Sequence, residues 1–84
     1  MMISINDFQI LPFDKQCDFI TIFADYLVYR IELDNKYYLY SMGDFFVEVC
    51  YAPYEGKVKA IHAFTNADEL EPYLNEVSIS LLSV

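Results

Sequence analysis

The chain is poor in the residues that break or bend a backbone: two glycines, three prolines and no tryptophan stand among 84 residues. Such a composition excludes collagen-like, linker-like and low-complexity chains. It also excludes a glycine-rich phosphate loop, since Gly43 and Gly56 stand alone and far apart. Positive charge is scarce: Arg30 is the only arginine and the four lysines are scattered, against thirteen acids and a net charge of −8. Binding to a nucleic-acid backbone or an anionic membrane needs clustered Lys and Arg, so both are excluded. No apolar run approaches the ~18 residues of a membrane span. Residues Met1 to Asp7 have neither the basic nor the apolar region of a signal peptide, which points to a cytoplasmic protein. Cys17 and Cys50 are then expected as free thiols in a reducing compartment.

What the chain does have is apolar and aromatic side chains, 56% and 18% of its residues. One domain of this size buries only roughly 60% of its unfolded surface, so some of that apolar area is expected to face a partner. Four short aromatic-rich segments read as strands: Tyr26–Leu33, Lys36–Met42, Phe45–Tyr51 and Val58–Phe64. Turn signals separate them. Asp34-Asn35 tolerates a left-handed backbone, Gly43-Asp44 suits a two-residue hairpin, and Pro53–Lys57 is a longer link containing Gly56.

Helices flank the ladder. Ser4 to Asp7 has the form of a capping box, and Pro12 suits the start of a second helix from about Phe13 to Ala24. Phe13, Cys17, Ile20 and Ala24 recur with helical spacing; the rival reading is a strand at Phe19–Phe23. After Phe64, residues Leu70, Tyr73, Leu74 and Val77 form one face of an amphipathic helix, with Thr65 or Asn66 as cap and Pro72 near its start. Ser78 to Val84 reads as an edge strand or a docked tail. The expected fold is a single α+β domain over 1–84: a four-stranded antiparallel β-meander with N-terminal helices and a short C-terminal helix.

The blocks Leu39-Tyr40-Ser41-Met42, Phe45 to Tyr51, Ile61 to Phe64 and Leu70-Glu71-Pro72-Tyr73-Leu74 resemble a group of small bacterial proteins of unknown function. Their pattern is roughly LYSL, FFVEVxY, IxxF and LEPYL. This chain carries Ala24 where such proteins often have Gly before the first strand. The resemblance supports the helix at Phe13 to Ala24 and carries over no catalytic residue.

Register arithmetic assigns faces. With turns centred on Asp34-Asn35, Gly43-Asp44 and Glu55-Gly56, face one holds Leu27, Tyr29, Ile31, Tyr38, Tyr40, Met42, Phe45, Val47, Val49, Tyr51, Ala60, His62 and Phe64. It is nearly all apolar and is expected to lie under the helices. Face two holds Val28, Arg30, Glu32, Tyr37, Leu39, Ser41, Phe46, Glu48, Cys50, Lys59, Ile61 and Ala63. One row on it runs Arg30, Leu39, Glu48, Ala63, so Glu48 is expected half-buried and paired with Arg30, or else with Lys59.

Groups that could do chemistry are few. His62 is alone and expected in the core; Cys17, Cys50 and His62 lack the spacing of metal ligands or of a nucleophile pair. No catalytic residue, metal or cofactor is expected. The leading expectation is a non-enzymatic interaction module, self-associating as a homodimer through face two, with Arg30, Tyr37, Leu39, Phe46, Glu48 and Ile61 at the interface. The alternatives are an acidic inhibitor or immunity-like protein that covers a basic partner, and a binder of a small ligand in an aromatic pocket between helix and sheet.

Overall fold

The structure, a computed structural model, describes residues 3–74. Helix α1 spans Ile5–Gln9 and α2 spans Phe13–Phe23. Strands β1 (Asp25–Glu32), β2 (Asn35–Ser41), β3 (Phe46–Ala52) and β4 (Lys57–Phe64) form one antiparallel sheet in the order β1-β2-β3-β4. A 3-10 turn, Ala67–Leu70, leads into helical residues 71–74. The α+β meander with flanking helices is therefore present as expected. Val77 and the segment Ser78–Val84 lie outside the described residues.

The local signals act where they were read. Ser4 caps α1, its hydroxyl accepting from the Asp7 backbone N–H at 3.1 Å. Asn66 caps the C-terminal turn by accepting from the Asp68 N–H at 2.9 Å. Phe19–Phe23 is helix and not strand, as part of α2. The Gln16 side chain donates to the Phe8 carbonyl at 3.0 Å and ties the two N-terminal helices together. Phe8 of α1 and Ile20 of α2 bury themselves against Met42, Phe45, Val47, Val49 and Ala63, with the Phe8 and Phe45 rings 5.7 Å apart. This main core lies between the helices and face one.

The second hairpin has the expected register, with Tyr38 opposite Val49 and Tyr40 opposite Val47, and Gly43 takes a φ of 80°. The other two hairpins differ. The first turn is Leu33-Asp34, because Asn35 pairs with Glu32; Leu33 takes a left-handed φ of 57°. Sliding by two residues preserves the faces, but Leu27 forms a bulge between Tyr26 and Val28. Tyr26 therefore packs on Tyr38 and Tyr40 of face one, and Leu27 turns to face two, where it lines a cleft with Val28 and Leu39.

The third hairpin overturns an assignment. Ala52 pairs with Lys57 across a four-residue link, the Gly56 N–H donates to the Ala52 carbonyl at 2.8 Å with a Gly56 φ of 67°, and a further irregularity sets Cys50 opposite Ala60 but Tyr51 opposite Val58. Val49 then faces Ile61 and Glu48 faces His62. A slip of one residue exchanges the two sides of a strand. Ile61 and Ala63 belong to face one, in or against the main core; Ala60, His62 and Phe64 belong to face two.

Candidate functional site

Face two carries a polar cluster built on three elements. Arg30 and Glu48 do not share a row: Arg30 lies beside Tyr37, which faces Cys50, while Glu48 lies between Leu39 and His62. Their long side chains still meet, with an Arg30 Nη2–Glu48 Oε2 distance of 3.4 Å, and Arg30 Nη1 donates to Glu32. The closer partner of Glu48 is Tyr73, whose hydroxyl donates to Oε2 at 2.7 Å. The Arg30 guanidinium lies over the Tyr37 ring at 4.2 Å and near the Tyr73 ring at 5.1 Å. Burial works against the Arg30 charge, but the bond to Glu32 and the charge of Glu48 outweigh it and raise its pKa. Burial, together with the Glu48 carboxylate, pushes the Tyr73 phenol far above its usual range.

This cluster clamps the C-terminal segment onto the sheet. Tyr73 is 1% exposed and closes a second core over Leu39 and Phe64, with Val28, Tyr37, Phe46 and Leu70 packed around it. Sequence reasoning anticipated the Arg30–Glu48 pair and missed Tyr73. A tyrosine on an apolar helix face is a usable signal, since a buried hydroxyl needs a partner.

The clamp changes what face two can offer. Leu39 is only 3% exposed, Tyr37 is half-buried under Arg30, and Phe46 is stacked on Phe64 at 5.6 Å. Ile61 is on the other face altogether, lining a small cavity beneath α2. The six expected interface residues thus do not make one open patch. What remains is a shallow cleft of about 240 Å³ between Leu27, Val28, Leu39, Phe46, Leu70, Tyr73 and Leu74.

His62 is not in the core. It is exposed on face two, 2.8 Å from Glu69 and stacked on Phe64 at 5.5 Å. Both cysteines are free, Cys17 on α2 and Cys50 on face two. Burial, with Asp18 and Asp14 nearby, raises the Cys17 pKa and keeps it a thiol. Among the described residues no three His, Cys, Asp or Glu side chains converge as metal ligands, and no helix is long and apolar enough to cross a membrane. The cavity between α2 and the sheet is about 140 Å³, below the ~300 Å³ of a typical small-molecule pocket.

Among the described residues a further exposed apolar surface lies on β1. Exposures there are 52% for Tyr26, 46% for Leu27, 45% for Tyr29 and 56% for Ile31, and 89% for Leu33 in the turn that follows. An aromatic side chain can bury ~150–250 Å². Tyr26, Tyr29 and Ile31, half-open on face one, therefore leave on the order of 300 Å² between them, a sizeable apolar patch for so small a domain. Tyr26, Tyr29 and Ile31 point to face one, yet the main core does not include them. A helix is ~10 Å wide, enough for about two strand spacings of ~4.8 Å. α1 and α2 spend that width on β2 to β4. The exposed rings of Tyr26 and Tyr29 gather against the partly buried rings of Tyr38 and Tyr40: Tyr26 lies 6.4 Å from Tyr38 and 5.8 Å from Tyr40, and Tyr29 lies 6.0 Å from Tyr38. Lys36 already places its ammonium 4.7 Å from the Tyr29 centroid and 5.5 Å from that of Tyr38.

Comparison with protein-family models, curated proteins and solved structures finds no match to this chain.

Proposed function

We propose that this protein is a non-enzymatic interaction module that engages another protein chain along the β1 side of its sheet. One observation carries the reading: among the described residues β1 is an edge strand whose large side chains are about half exposed on both faces. An edge strand presents a row of backbone donors and acceptors, and apolar side chains beside them make that row a template for a further strand.

A second copy is the simplest partner, but the charges oppose it. Two β1 strands paired antiparallel about Tyr29, with faces matched across the Leu27 bulge, would set Asp25 of each copy against Glu32 of the other. The net charge of −8 adds repulsion between copies. Face two has lost its centre, Leu39, to the chain's own Tyr73. These points favour a partner of a different kind, and with it the reading of an acidic protein that covers a basic one.

The experiment is affinity capture from native lysate with the wild type and with Ile31→Lys, alongside sedimentation velocity of the pure protein. A stoichiometric partner that is lost with Ile31→Lys supports the reading. A partner retained by that variant, or no stoichiometric partner and no self-association, overturns it.

A further inference from the structure

The proposed docking edge has a charge and a ring chemistry that specify its occupant. Of the five basic residues, Arg30 is committed to Glu32 and Glu48, Lys57 and Lys59 lie beside Glu55 at the opposite edge, and Lys36 rests on the Tyr29 and Tyr38 rings. Lys15 on α2 is the fifth. Acids mark both ends of β1: Asp25 at one, Glu32 and then Asp34 at the other. Between them, on face one, lies the tyrosine cluster. Tyrosine ring faces attract cations, and the Lys36 ammonium shows that these rings accommodate one.

Resting on the reading of β1 as a docking edge, we propose that the occupant is an extended segment of a basic protein that adds a fifth strand beside β1. Side chains on one face of an added strand stand ~4.5–5.5 Å from their cross-strand neighbours. Every second residue of the segment therefore falls beside Tyr26, Tyr29 or Ile31. Arginine or lysine at those positions lays its charge on the tyrosine faces, and arginine stacks best because its guanidinium is planar. The intervening residues point to face two, toward Leu27 and the cleft that continues to Leu74, and are expected to be apolar. Basic residues at the segment's ends meet Asp25 and Glu32.

The test uses the whole protein and three synthetic nonapeptides: alternating Arg and Val, alternating Glu and Val, and Arg alternating with Pro. The third has the charge of the first but cannot complete a strand ladder. Titration by NMR, with hydrogen exchange read at the amides of 28–32, reports where each binds and whether a strand forms. The Arg–Val peptide is expected to bind and protect β1 amides, with the other two at least about tenfold weaker, since one strand's backbone bonds and one sign of charge are each removed. Tyr29→Ala is expected to weaken it about fivefold, the scale of one exposed cation–π contact. Equal binding of the Arg–Pro peptide, protection at β4 instead of β1, or no binding of Arg–Val at millimolar concentration each overturns the proposal. If a cellular partner is nevertheless lost with Ile31→Lys, the docking edge stands and its basic-strand occupant does not. A native dimer dissociated by Ile31→Lys separates the two in the same way.

Discussion

The two edges of this sheet are managed in opposite ways. The β4 edge begins with Lys57 and Lys59, both near Glu55 at 3.7 and 3.9 Å, has its bulge at Lys59, and has α1 packed against the strand. Charged side chains, a bulge and a covering element are the ordinary means of keeping an edge from pairing with another chain. Among the described residues the β1 edge has a bulge, at Leu27, and little else. No lysine lies within β1, its arginine is drawn inward to Glu48, and Tyr26, Leu27, Tyr29 and Ile31 are each about half exposed. On the proposed reading, the β1 edge is the one that pairs with a partner. The same asymmetry runs across face two, where the Tyr73 clamp closes the sheet's middle while, among the described residues, a cleft remains beside Leu27.

The sharpest way to break the contrast is to open the closed part. Tyr73→Ala removes the most deeply buried side chain of the second core along with the hydroxyl that donates to Glu48. Aromatic-to-Ala changes in cores cost about 3–5 kcal/mol, and this one is expected in that range by chemical denaturation. In so small a domain that is a large share of the total stability. Tyr73 also sets an alkaline limit. Its folded pKa is raised well above the ordinary 10.0, so the folded state holds a proton that the unfolded chain gives up near that pH. Its contribution is complete below pH 10 and declines above it, by up to about 1.4 kcal/mol per pH unit while Tyr73 stays protonated in the fold. Tyr73→Phe should flatten that decline in a urea series run from pH 8 to 11. An unchanged slope would show that Tyr73 ionises freely.

A smaller effect is expected from the ion pair beside the clamp. Arg30 and Glu48 are largely buried, with side chains 12% and 18% exposed. Removing Arg30 takes the counter-charge from Glu48 and leaves it the Tyr73 hydroxyl, at a cost of roughly 1–3 kcal/mol for Arg30→Met. The cycle through Glu48→Gln and the double variant isolates the coupling, expected at about 1 kcal/mol. A coupling indistinguishable from zero would reduce the pair to packing of the Arg30 stem on Tyr37.

Leu33 sharpens the comparison from the other side. It is 89% exposed and takes a left-handed φ of 57° in the turn that leaves β1. A left-handed residue with a Cβ costs roughly 1–2 kcal/mol, and glycine avoids this while losing some backbone entropy on folding. Leu33→Gly is therefore expected to stabilise by about 0.5–1 kcal/mol, read as an increase in Tm. A loss of stability would show that Leu33 makes contacts worth more than its backbone strain.

Alternation and turn residues made the strands, the helices and the middle hairpin legible, because each depends on neighbours in the chain. Parity at β4 was not legible. It depends on whether the link after Ala52 closes over Tyr54-Glu55 or Glu55-Gly56, and on a bulge at Lys59, and one residue of slip moved His62 out of the core and Ile61 into it. Coverage was not legible either. The apolar pattern marked Tyr29 and Ile31 as core-facing, and the direction was right, but only the packing of α1 and α2 on β2 to β4 determined that neither helix lies over them. Tyr73 as the partner of Glu48 depends on a tertiary return of the chain that no local pattern encodes.

The smallest effect on stability belongs to the variants that exchange the edges. Ile31→Lys puts a gatekeeping lysine on β1, and Lys59→Ile removes one from β4. Both positions are more than two-fifths exposed, the Lys59 side chain by 45% and Ile31 by 56%, and exposed substitutions of this kind stay within about 0.5 kcal/mol. Their effect on association is expected to be opposite and far larger. Ile31→Lys sets an ammonium where a partner strand would stand and removes apolar area beside Tyr29, so capture of a partner should fall while the fold holds. Lys59→Ile strips the charge that faces Glu55 and leaves β4 with an apolar bulge, so this variant should self-associate at high concentration where the wild type does not. Sedimentation velocity of both, with denaturant curves to confirm equal stability, reads the two effects separately. If Lys59→Ile sediments like the wild type, α1 alone guards β4, and the contrast between the edges rests on coverage and not on charge.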